Sequence, residues 1–249
     1  MNRASVIRAF LLRALLSRRA TRHILGAALL AVAGMSGLLL SQTQASSAAG
    51  SSAVITFTLD FPESDPSHYS IAVDATGHAI YECRAKVQDS DDQAYHTDFQ
   101  VSQATRERIF ELAKQAKYFA GKIDSGNHKL AFMGGKILSY QDPQRSFTAS
   151  YNYSSLEPVR QLTTLFQNMA GTLDYGRRLA YYHQYQKLAL DDELKRMEKQ
   201  AANNELGEIH AVAAVLQGIV DDTSVINGVR ARAKELIEMG KSGTESHQR

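Results

Sequence analysis

The sequence predicts an α+β protein: an antiparallel sheet with two packed helices, followed by an all-helical C-terminal tail. Three observations carry this reading. Runs of β-branched and aromatic residues at short period recur between Val54 and Tyr153 with hairpin-type turns between them. Two stretches in the same block, one after Ser102 and one after Ser155, change to helical period. Beyond Asp174 the period stays helical. Hairpins interrupted by only two helices give an antiparallel sheet with helices layered on it.

Before this block stands a leader, residues 1–45. Arg3, Arg8, Arg13, Arg18, Arg19 and Arg22 precede the first carboxylate, Asp60, and a run with no charged residue follows from Ile24 to Leu40. A basic start, an apolar core and a small-residue exit make an export signal or an N-terminal membrane anchor. Seventeen residues at about 1.5 Å each span roughly 26 Å, against ~30 Å for a bilayer core. Thr43-Gln44-Ala45 and Ser47-Ala48-Ala49 both suit cleavage, whereas the long basic start suits a retained transmembrane helix. Arginine-rich flanks stay in the cytoplasm, so the rest of the chain is expected to be exported, to the periplasm or the outer face of the cytoplasmic membrane.

Without its six leader arginines the chain is acidic. Residues 46–249 carry 22 Lys and Arg against 26 Asp and Glu, a net charge of −4. That excludes the cationic footprint of a nucleic-acid partner. Cys83 is the one cysteine, so no internal disulfide forms, and its expected place is a small buried position on a strand. The absence of Trp and the four prolines argue against an aromatic carbohydrate platform and Pro-rich linkers.

Residues 46–53 read as a flexible linker and 54–173 as the α+β domain. Val54 to Leu59 is a strand by preference. Tyr69–Val73 and Ala79–Cys83 form a hairpin with Gly77 supplying a positive φ. Asp89 to Gln93 reads as a polar loop and Tyr95 to Val101 as a further strand. Ser102 offers an N-cap to a helix with the stripe Ile109, Leu112, Ala113 and Ala116, stopped by Gly121. A second hairpin is expected from Lys129–Met133, a Gly134-Gly135 break and Ile137–Tyr140. Asp142-Pro143 then turns into the strand of Phe147, Ala149, Tyr151 and Tyr153. Ser154 or Ser155 should cap a helix with Leu162, Leu165, Phe166, Met169 and Leu173 inward.

Residues 174–240 read as the helical tail and 241–249 as a disordered terminus. Leu190, Leu194, Met197 and Ala201 keep step, Asn203-Asn204 breaks, and Ile209, Val212, Ala213 and Leu216 resume. Asp221 to Ser224 caps a last helix with Ile226, Val229, Ala233, Leu236 and Ile237 inward. The two-hairpin-and-helix layout of 54–173 is similar to uncharacterised exported bacterial domains, a likeness of layout without a diagnostic motif. Ala211 to Leu236 resembles a single HEAT-type unit, which lacks stacking neighbours.

No residue is assigned a catalytic, cofactor or metal role. Asp89, Asp91 and Asp92, with His96 and Asp98 behind them, offer oxygens for a divalent cation such as Ca²⁺ but lack the Gly and bidentate Glu of a calcium loop. The eight histidines show no zinc spacing, and Gly134-Gly135-Lys136 is no phosphate loop. Arg177-Arg178 with Tyr181, Tyr182, His183 and Tyr185 is the most ligand-like surface, because rings at i, i+1 and i+4 cannot all face one core. The expectation is a non-enzymatic binding or interaction module whose protein partner meets the helical tail, with membrane contact through the leader if it is uncleaved. A hydrolase assembled around His96, Asp98 and a serine, and a cation-binding or sensing protein, are the alternatives.

Overall fold

Alternation at period two builds the sheet. The computed structural model describes residues 52–87, 90–127 and 129–245, without the side chains of 85–93 and 242–245. The leader lies outside the described residues, and no helix among those described is long and apolar enough to cross a membrane. Six strands, β1 (Val54–Asp60), β2 (His68–Asp74), β3 (His78–Val87), β4 (Ser90–Gln100), β5 (Gly135–Gln141) and β6 (Ser146–Tyr151), pair in the order β4-β3-β2-β1-β5-β6, all antiparallel. Ile55, Phe57, Leu59, Ile71, Val73, Tyr81, Cys83 and Leu138 point to one buried face. Thr56, Thr58, Ser70, Glu82, His96, Asp98 and Thr148 stand on the other, which is open to solvent. An antiparallel sheet tolerates one wet face, so a single helical layer suffices.

That layer is α1 (Gln103–Gln115) and the first half of α2 (Glu157–Tyr185). Ser102 caps α1 as expected, its Oγ accepting from Thr105 N at 3.3 Å. The ring of Phe166 stacks on Phe57 at 5.4 Å with 9° between the planes. After α1 the chain makes a left-handed turn, Lys117, Tyr118 and Phe119 having φ of 52°, 56° and 66°. Each such residue costs on the order of 1 kcal/mol. The turn persists because Phe119 is buried and the Tyr118 ring lies 4.5 Å from that of Tyr140, with the Arg145 guanidinium 4.1 Å above it.

Several expectations are corrected. The segment from Asp89 is not wholly a loop: β4 starts at Ser90, paired with Val87, because backbone pairing with β3 needs no apolar side chain. Lys129–Met133 is not a strand, since both edges of β5 are taken by β1 and β6. Neither Ser154 nor Ser155 caps α2. Its N-cap position is Leu156, and Ser154 Oγ instead donates to Ile123 O at 2.6 Å. The Gly77 turn stands, with φ 89°.

α2 runs through Asp174 without a break, so the expected division at 173/174 falls inside one helix. The tail continues with α3 (Leu190–Ala202), α4 (Ala213–Asp221) and α5 (Asn227–Glu245). Residues 241–245, expected to be disordered, belong to α5, and Ile226, expected inward, is 69% exposed because it precedes the first turn of that helix. Leu190, Leu194, Met197, Val212, Leu216, Val229 and Leu236 are buried and belong to the same continuous core as the sheet. Asp174 and Glu193 are buried with them. Arg178 donates from Nε to Glu193 Oε1 at 2.6 Å and pairs with Asp174, which also takes Arg177 at 2.7 Å. The paired arginines are therefore held internally, Arg177 within α2 and Arg178 as a strut from α2 to α3.

Two outcomes follow from this packing. Cys83 is 2% exposed, and burial pushes its thiol pKa up. Cys83→Ala is expected to cost about 1 kcal/mol in chemical denaturation, and the native thiol should resist labelling that the unfolded chain accepts. Gly176 lets the chain at Val212 approach: a Cβ there would stand 2.5 Å from Val212 Cγ1. Gly176→Ala should therefore destabilise by about 1–3 kcal/mol despite a gain in helix propensity, with thermal melts as the check.

Candidate functional site

The aromatic surface expected on α2 is divided by the fold. Tyr182 packs against the core, while Tyr181 is half-buried and lies 5.1 Å from the ring of Tyr185, which is 64% exposed. Beyond α2, Leu188 is 96% exposed. A polar clasp fixes this corner. Lys187 Nζ donates to Asp222 Oδ2 at 2.6 Å and to Ser224 Oγ at 2.5 Å, and a His183 ring nitrogen lies 2.9 Å from the same carboxylate. Hydrogen bonds from Lys187, Ser224 and His183 hold the Asp222 carboxyl far below the usual carboxylate range. The clasp ties the α4–α5 corner, which includes exposed Ile226, to the segment that follows Tyr185 at the end of α2 and includes Leu188.

A second site was not foreseen. β5 alternates Lys136, Leu138 and Tyr140 on the buried face, so a lysine enters the end of the core. Lys136 is 6% exposed, and its ammonium donates to the carbonyl oxygens of Met133 at 3.1 Å, Gly134 at 3.2 Å and Asn152 at 3.1 Å. Desolvation lowers its pKa, and among the described residues its hydrogen-bond partners are carbonyls and not carboxylates. It lines an open cleft of about 440 Å³ between the 130–133 loop, the end of β6 and the first turns of α2. Leu130, Met133 and Tyr153 form apolar walls, and Arg160, Thr163 and Thr164 line the helix side.

The residues of the hydrolase alternative lie on the open sheet face. His96 Nε2 is 3.2 Å from Asp98 Oδ2, His96 Nδ1 is 3.5 Å from Glu82, and His78 is 3.3 Å from Asp98. Ser70 is the nearest serine in the same cross-strand row, two strands from His96. At ~4.8 Å per strand that is about 10 Å, beyond hydrogen-bond reach. Among the described residues no group of three or more His, Cys, Asp or Glu is arranged to hold a metal ion. Asp89 lies outside the described residues, as do the side chains of Asp91 and Asp92.

An open groove of about 900 Å³ runs between α1, α2 and the segment before α4. At its floor Glu208, with φ 55°, accepts from Ser102 N at 2.7 Å, Ser102 Oγ at 2.8 Å and Thr105 Oγ1 at 2.5 Å. The carboxylate fills the position where the α1 dipole and free amides favour an anion. His210 adds a bond to Gln100 O at 2.9 Å. Thus the groove is a seam between the tail and the helical layer that the protein closes with its own charge.

Lys136 had a sequence signal, its place in the buried alternation of β5; Glu193 likewise interrupts the α3 stripe next to Leu194. Glu208 had none, because its partners lie more than 100 residues away. Glu208→Ala should cost about 2–3 kcal/mol, since it leaves donors at a helix start without a charged acceptor. Hydrogen exchange should quicken most in the first turn of α1. No protein-family model matches this chain, and no curated protein matches it in sequence.

Proposed function

We propose that this chain is a non-enzymatic interaction module of an exported protein, and that its partner contact is the ridge formed by Tyr181, Tyr185, Leu188 and Ile226. The observation that carries this reading is Leu188, 96% exposed beside Tyr185 at 64% and near Ile226 at 69%. Exposed apolar side chains gathered on one corner mark interaction sites, and aromatic rings are favoured there. The clasp of Lys187 and His183 on Asp222 keeps the corner rigid, which lowers the ordering cost of binding. The leader supports an address outside the cytoplasm, and the net charge of −4 beyond it favours a protein partner over nucleic acid.

The test places a photo-crosslinking residue at position 188 of the full chain in its own cells. A discrete crosslinked protein is expected, and Tyr185→Ala should abolish it while moving the melting temperature by no more than about 2 °C, as for a surface substitution. If Tyr185→Ala unfolds the protein, the ring is structural; if no discrete adduct forms, the ridge is not the contact.

A further inference from the structure

The cleft at the far end of α2 is independent of the ridge. From Thr163 to Tyr185 the helix advances roughly 33 Å at 1.5 Å per residue. Three observations there converge on one ligand chemistry. The walls at Leu130, Met133 and Tyr153 are apolar, and these residues are 40%, 62% and 44% exposed, so the hydrophobic surface is uncovered. The volume, about 440 Å³, is that of a small-molecule site. The floor holds a positive charge with no counter-ion among the described residues: the three acceptors of the Lys136 ammonium are neutral carbonyls.

We propose that this cleft binds a free single-chain anionic amphiphile, its acyl or aryl body lying between Leu130, Met133 and Tyr153 and its anionic end placed near the Lys136 ammonium. Several of the other polar groups are already committed inside the protein. The Tyr151 hydroxyl meets Thr163 Oγ1 at 2.6 Å, Ser154 donates to Ile123 O, and Asn152 Nδ2 donates to Ala131 O at 3.2 Å. None of them calls for a polar ligand body. The lysine protons are also shared with carbonyls, so the ligand's negative end gains chiefly from uncompensated charge. In a partly desolvated site that attraction is several times its value in water. Arg160 on the rim is shared with Glu157 and Ser155 O and adds less. A cationic amphiphile meets the same walls but a repulsive floor.

The experiment uses the full chain in phosphatidylcholine nanodiscs, with ¹³C-methyl methionine and ¹³Cε lysine read by NMR. The probes are decanoate, decanol and decyltrimethylammonium. Decanoate is expected to shift the Met133 methyl saturably, at a midpoint about tenfold or more below that of decyltrimethylammonium. It should also raise the titration midpoint of Lys136, because an adjacent anion favours the charged form, and decanol should not. Lys136→Met should reduce the charge preference to within about threefold, the buried Met197 methyl reporting that the fold is kept. Leu130→Asp, at a half-exposed wall position, should abolish the decanoate response without disturbing Met197. Equal midpoints for the two charged probes, an unsaturable Met133 shift, or a charge preference that survives Lys136→Met overturns the proposal. So does a Met133 shift produced by phosphatidylglycerol in the nanodisc with no response to decanoate. The ridge is read at position 188 and the cleft at Met133, so either can fail alone.

Discussion

One helix has to bury two surfaces at once. The 29 residues of α2 extend about 44 Å at 1.5 Å per residue. Leu162, Phe166, Met169 and Leu173 cover the sheet, and Leu179 continues into the tail core beside Leu190 and Leu194. Between these halves the helix carries Asp174, Gly176 and Arg178. The bare Cα of Gly176 admits Val212, and the Arg178 guanidinium reaches across to Glu193 on α3. Buried charges gain little net stability over apolar packing, yet a mispaired one is costly. The Asp174–Arg178–Glu193 set therefore penalises any alternative seating of α3. Sheet and tail are two ends of one packed unit, which is why Glu208 in the tail can serve as a cap for α1.

Period was legible in the sequence wherever one face is buried and the other wet. Ile55-Phe57-Leu59 and Tyr69-Ile71-Val73 alternate because the sheet is covered on one side only, and Leu190-Leu194-Met197 keep step because α3 shows one face to the core. The reading failed where partners decide. Residues 90–94 pair with β3 without apolar alternation, so composition showed a loop. Leu130 and Phe132 alternate like a strand but have no strand edge to join; Leu130 lines a cleft and Phe132 lies against the ring of Phe61.

The two proposed surfaces divide in the same way. The exposed tyrosine was legible because ring spacing on one helix already forces exposure, although the fold, not the spacing, showed that Tyr182 turns inward and that Leu188 and Ile226 are exposed as well. The arginines beside it were misleading: the buried acids that neutralise them lie on the same helix and 15 residues onward. The Lys136 cleft was illegible because it exists only where β5, the end of β6, the 130–133 loop and α2 meet. Its lysine stood beside two glycines and read as part of a turn.

Uncovered hydrophobic surface on this fold is concentrated rather than scattered. Of the nine large hydrophobic side chains exposed among the described residues, Leu130, Phe132, Met133, Tyr153 and Leu156 lie at or next to the cleft, while Tyr185, Leu188 and Ile226 stand at the tail corner; Ile137 alone is on the open sheet face. Singly exposed apolar residues are ordinary, but two groups at opposite ends of α2 are not what random placement gives. The two differ in charge. The ridge is braced by Asp222, whose carboxylate is already satisfied by Lys187, Ser224 and His183, so it offers an apolar contact on a neutralised base. The cleft is floored by an ammonium whose hydrogen bonds, among the described residues, go to neutral carbonyl oxygens. A partner chosen by shape and apolar area suits the first, and a ligand chosen by one negative charge suits the second. Each surface lies at a different end of α2, and between them the buried Arg178 ties the helix to Glu193 of α3.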